Sequence, residues 1–176
     1  MIDINFFTRK AEAARKRIAP RSIDCSANST QELPILKGAQ LHITYRGVVY
    51  PWQLDHMNHM NVQHYMASFD QASWVLLSLL GLDAWYFDRN RRGMAALEQT
   101  FQYKAELRAG EAFEIRSRVL EIREKTLRMQ HDMHKIRNGG LAASTTILGV
   151  HIDADARRAV PLPASVGDRT RLLSAS

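Results

Sequence analysis

The side chains best able to do chemistry cluster in one short stretch: Asp55, His56, Asn58, His59 and Asn61, inside the segment Tyr50–Tyr65. A carboxylate, carboxamides and imidazoles in such density suit activation of a carbonyl group. Asp55 can act as a general base toward water or attack directly as a nucleophile. The backbone N–H groups at a helix N-terminus carry partial positive charge and can polarise a carbonyl oxygen. A capping aspartate among polar loop neighbours has the same letters, so the stretch alone leaves both readings open.

The elements that must position this stretch are legible on either side. Leu41–Pro51 is strand-like, with Ile43, Tyr45, Val48, Val49 and Tyr50, and Pro51 ends it. After the polar segment Gln53–Asn61, apolar residues recur at helical spacing from Val62 to Leu80. Asn61 is placed as the N-cap and Gly81 as the C-terminal stop. This long helix is expected to be buried on most of its circumference. A loop carrying Arg89, Arg91 and Arg92 follows, then strands over Met94–Leu107, Ala112–Ile122, Leu127–Ile136 and Leu141–Ile152. Glycine-bearing turns join the first two at Arg108–Gly110 and the last two at Arg137–Gly140. The expected order is one strand, one helix and four strands in antiparallel succession. Such a sheet offers one face to the helix, and its other face and edge need cover, which a second copy would supply.

Other chemistries find less support. His56, His59, His64, His131 and His134 lack the spacing of a zinc site, and no second cysteine accompanies Cys25. No glycine-rich phosphate loop occurs, so neither a metal nor a nucleotide cofactor is expected. The net charge is +6 over 176 residues, yet residues 41–153 carry 13 basic and 12 acidic side chains. The excess lies in the flanks, so a basic nucleic-acid-binding module is the weakest reading. No stretch is long and apolar enough to span a bilayer, and the N-terminus does not read as a secretory signal. A single cysteine fits a reducing cytoplasm. Residues 1–40 are read as an extension and linker (a short helix over 3–18, interrupted at Pro20), 41–163 as the domain and 164–176 as a tail.

The segment VVYPWQLDHMNHMNVQHYMASFDQA resembles the first strand, loop and helix of the 4-hydroxybenzoyl-CoA thioesterase-like acyl-CoA hydrolases. That family has a Pro-x-x-x-Asp-x-x-Gly-His-Met-Asn segment before a helix with an early Tyr and a later acidic residue. Pro51, Asp55, His59, Met60, Asn61, Tyr65 and Asp70 match in order, with Asn58 in the glycine position. Downstream, Glu98, Tyr103–Leu107 and Ala109–Glu111 are similar to its second strand and turn, and Leu141–Ser144 and His151–Asp153 to its final strand.

The resemblance implies an α+β hot-dog fold, an antiparallel sheet wrapped around one long central helix. It implies an acyl-CoA substrate, no cofactor, and a homodimer or homotetramer. By the same resemblance Asp55 is the catalytic carboxylate, and amides around His59 to Asn61 hold the thioester oxygen. His59 and Asn61 set the loop and the helix cap. Asn58 touches the thioester or acyl head, and Tyr65 lines the pocket. Glu98 approaches Asp55 and raises its pKa. Arg89, Arg91 and Arg92 are candidates for the CoA phosphates, since guanidinium forks match phosphate oxygens. A hot-dog protein that binds acyl thioesters without hydrolysing them is the alternative.

Overall fold

The computed structural model describes residues 41–175. The helix, linker and Cys25 readings for residues 1–40 fall outside that range. Six strands form one antiparallel sheet: β1 (His42–Val48), β2 (Arg92–Tyr103), β3 (Ala112–Ile122), β4 (Thr126–Lys135), β5 (Leu141–Asp153) and the short β6 (Arg158–Ala159). The long helix α1 (Val62–Leu79) lies between β1 and β2 in the chain. Two shorter helices are α2 (Ala84–Asn90) and α3 (Ala164–Ala175). The sequence pattern predicts neither: it places an arginine-bearing loop at α2 and a tail at α3. Asp83 caps α2 through the Tyr86 amide, and α3 is anchored by the buried Val166.

Both ends of α1 follow from its sequence. The Asn61 side chain accepts from the Gln63 amide at 3.1 Å. At the other end Gly81 takes φ +81°, its amide bonds the Ser78 carbonyl, and the Leu82 amide bonds the Leu77 carbonyl. This paired closure needs a residue that accepts positive φ. Replacing Asn61 by alanine should lower stability by about 1 kcal/mol. Urea denaturation of N61A checks this, and an unchanged midpoint would remove Asn61 from the cap.

The sheet runs β1-β3-β4-β5-β2, with β6 beside the end of β5. The expected antiparallel succession therefore holds only for β3, β4 and β5. The strands β2 and β3 do not form a hairpin, because the connection between them is bonded elsewhere. The amides of Lys104 and Ala105 bond the Ala142 carbonyl, and Gly110 bonds the Val49 carbonyl. This sends β2 to the far side of β5 and leaves β3 free to receive β1. The sheet curls around α1, which meets β1, β3 and β4.

The core has two parts along α1. Tyr65, Phe69 and Ala72 pack with Phe113, Ile115 and Met133. Leu76, Leu77 and Leu80 pack with Val119, Leu127 and Met129. The helix is not covered all round, however: Val62, Met66, Trp74, Val75 and Leu79 are exposed. The strand β2 bonds only β5 and is largely exposed, including Leu97 at its bulge. An apolar helix face thus lies bare in a molecule that also presents an open strand edge.

Candidate active site

The Asp55 loop is a small closed structure. Leu54 and Met60 form an isolated antiparallel bridge, and the Asp55 amide bonds the His59 carbonyl at 2.8 Å. Inside this neck the Asn58 amide bonds the Asp55 carbonyl, and Asn58 takes φ +60°. A tight turn ending in one left-handed residue suits glycine best and asparagine next, so asparagine in the glycine position is accommodated.

The Asp55 carboxylate is held by one oxygen. Its Oδ1 accepts from the Met57 amide at 2.8 Å and the His59 amide at 3.3 Å. Its Oδ2 accepts no hydrogen bond among the described residues. The pKa of Asp55 lies below the ordinary carboxylate value, chiefly because the Met57 amide donates to the charged form. This reverses the expectation that Glu98 raises it. Glu98 sits at mid-strand in β2, opposite Leu148, beside Gln99, which faces α1. Alternation sends the Glu98 side chain to the other face, and it is not among the groups acting on Asp55.

The glutamate that does reach the loop is Glu106, whose Oε2 lies 2.9 Å from His59 Nε2. It stands in the Tyr103–Leu107 stretch quoted above, but only the fold shows that this stretch returns to the loop. There the Met60 amide also bonds the Leu107 carbonyl at 2.7 Å.

The amides expected to hold a carbonyl oxygen are already committed. His59 donates to Asp55, Met60 to Leu107 and Asn61 to the Gln53 carbonyl at 2.8 Å. The amide of Val62, the first residue of α1, makes no hydrogen bond among the described residues. Tyr65 is buried and packs edge-on to Tyr103 with ring centroids 5.3 Å apart; burial raises its pKa.

Arg89, Arg91 and Arg92 are not brought to Asp55 within one protomer. They follow the C-terminal end of α1, which is roughly 27 Å long. Arg91 pairs with Asp155, Arg92 pairs with Asp153, and Arg89 lies over the Trp85 ring. Beside the loop, Tyr50 and Trp52 stack at 4.4 Å and are exposed, an aromatic pair that the sequence reading did not single out. Among the described residues no group of His, Cys, Asp and Glu is placed to hold a metal, and no helix is long and apolar enough to cross a membrane.

A separate cavity of about 390 Å³ lies between α1 and β2. Met66, Asp70 and Trp74 of the helix face Met94 and Gln99 of the strand across it, with Met129 among its other lining residues.

The chain is similar to known proteins in sequence and in fold. The family model described as the thioesterase-like superfamily matches residues 49–170. A betainyl-CoA thioesterase of Pseudomonas aeruginosa is 25% identical over 136 residues, covering 77% of this chain and 86% of that protein. An L-carnitine dehydrogenase/betainyl-CoA thioesterase of Agrobacterium fabrum is 30% identical over 112 residues, 62% of this chain but only 22% of that longer protein. Among solved structures, a Staphylococcus aureus protein in complex with CoA superposes with TM-score 0.71 at 23% identity, covering 78% of this chain and 85% of that one. A 1,4-dihydroxy-2-naphthoyl-CoA thioesterase of Synechocystis superposes with TM-score 0.65 at 15% identity, covering 73% and 95%. At these identities the structural matches establish the hot-dog fold.

Proposed function

The chain belongs to the thioesterase-like superfamily, and on that premise we propose that it hydrolyses acyl-CoA thioesters with Asp55 as the catalytic carboxylate. The observation that carries the reading is the geometry of that side chain. One carboxylate oxygen is fixed by two amides, the other is unengaged, and the unpaired first amide of α1 follows seven residues later. Asp55 Oδ2 takes a proton from water or attacks the carbonyl carbon itself. The Val62 amide and the helix dipole stabilise the negative charge that develops on the carbonyl oxygen. With water as nucleophile, a carbon–oxygen bond forms, the carbon–sulfur bond breaks, and the proton held by Asp55 passes to the departing thiolate. With Asp55 as nucleophile, the thiolate leaves behind an acyl–aspartyl anhydride, which water then cleaves to the free acid, supplying the thiolate's proton. The closed loop, with His59 held by Glu106, keeps Asp55 in place. Asn58, exposed at the turn, meets the acyl head.

The working unit we propose is a dimer. The open β2 edge and the bare apolar face of α1 adjoin, and a second copy placed antiparallel along β2 covers both. That pairing sets the Arg92 end of one β2 beside the Tyr103 end of the other. The Arg89, Arg91 and Arg92 group of the second copy thereby reaches the end of the molecule that holds Asp55, where CoA phosphates need cations. Its ion pair to Asp155 is exposed and easily exchanged. The substitution L97K, which puts a charge in the middle of the edge, should yield monomers and abolish turnover. Light scattering after gel filtration reads the mass, and a dimeric L97K would move the interface elsewhere.

Release of free thiol from short-chain, aryl and betainyl CoA esters tests the hydrolase reading. Turnover of at least one is expected. Saturable binding of these esters without release of thiol would replace hydrolysis by thioester binding.

A further inference from the structure

We propose that the cavity between α1 and β2 receives a small organic cation, a quaternary ammonium group carried on the acyl arm. This rests on the hydrolase reading and names its substrate class.

The wall chemistry carries the proposal. Asp70 is the one charged side chain among the described lining residues. No described side chain pairs with it, so its carboxylate is available to a ligand. Four residues further along the same helix face is Trp74, whose ring is half exposed and meets Phe87 edge-on at 6.0 Å. Met66, Met94 and Met129 supply polarisable thioether surface. A carboxylate beside an indole, in a wall otherwise uncharged, attracts a methylated ammonium by charge and by the ring quadrupole. The same wall repels an anionic acyl group and gives a neutral one apolar contact only. The volume of about 390 Å³ holds a trimethylammonium group with room for its acyl arm.

Asp70 lies about 13 Å along α1 from Asn61, further than a two-carbon acyl arm spans within one protomer. Antiparallel pairing of β2 runs the two helices in opposite directions. It carries the cavity of one copy toward the Asp55 end of the other, so the acyl arm crosses between protomers.

The test compares two esters of one shape. Betainyl-CoA and 3,3-dimethylbutanoyl-CoA differ by nitrogen for carbon, hence by one positive charge. The protein should favour the cation in kcat/KM by at least about tenfold, and D70N should bring the ratio near one. Equal rates for the two esters in the unmodified protein, or a D70N variant that keeps the ratio, would overturn the proposal while leaving hydrolysis standing. If neither ester is turned over, the hydrolase reading loses support. The cavity is then judged by titration with tetramethylammonium chloride, followed by tryptophan fluorescence. Saturable binding lost in D70N supports the cation site, and its absence overturns it.

Discussion

D55N is expected to lower kcat by roughly three orders of magnitude with little change in thermal stability, since a positioned acid–base group contributes about 10²- to 10⁴-fold. Asparagine keeps a side-chain carbonyl oxygen, which can still accept from the Met57 and His59 amides that hold Asp55 Oδ1. The loop therefore keeps its shape while losing the unengaged, charged oxygen. Thiol release by purified D55N, beside its melting curve, separates the two effects. Full activity would remove Asp55 from the reaction, and loss of folding would make its role structural. The pH profile adds a second reading. Asp55 ionises below the ordinary carboxylate value because amides donate to its charged form, so its own acid limb lies below that of an ordinary carboxylate. Activity lost at milder acidity must have another origin.

Stability is expected to fall at milder acidity through His131. Its side chain is fully buried, and burial pushes its pKa down from 6.5 to about 4. Both ring nitrogens are hydrogen-bonded. Ser73 donates to the Phe69 carbonyl at 2.9 Å, so it accepts from His131 Nε2 at 3.1 Å. Nδ1 lies 2.6 Å from the Ser117 hydroxyl, which lies 2.6 Å from the Thr44 hydroxyl. An unfolded chain takes up a proton at His131 near pH 6.5, whereas the folded chain resists until about pH 4. Below 6.5 the unfolded state binds more protons, so stability falls with pH through that window and levels off below about 4. The shift corresponds to about 3 kcal/mol. Urea denaturation at pH 7 and pH 4.5 should show this loss. H131Q, although weaker at pH 7, should lose about 2 kcal/mol less between the two. The same pH dependence in both proteins would clear His131.

Much of this molecule can be read from local pattern, and the failures have a common cause. The ends of α1 were legible because Asn61 and Gly81 act on their own neighbours. The bounds of β3 were legible because glycine-bearing turns flank the β3–β5 strands. The neighbour of β2 was not, because its partner strand lies some fifty residues later and the choice depends on where Lys104 and Ala105 bond. At the site, the Asp55 cluster stood out by residue type alone. The resemblance points to Glu98, whereas the fold brings Glu106 to the loop, because strand alternation and the β2 bulge cannot be phased from letters. The cavity at Asp70 was hidden for a related reason: Met66, Asp70 and Trp74 read as an ordinary helix stripe until β2 is placed opposite them.

The anchoring of the Asp55 loop sets the order in which the protein can become competent. The hairpins β3–β4 and β4–β5 close over short turns, at small entropic cost. The loop closes on itself, but its anchorage to the sheet is long-range. Its neck is bonded to Leu107 and its histidine to Glu106, and that segment is in turn held by Ala142. A growing chain thus carries the Asp55 residues early but cannot anchor them to the sheet until β5 has been made and docked. Local structure forms first and long-range closure later, which places the competent loop among the last features to assemble during folding.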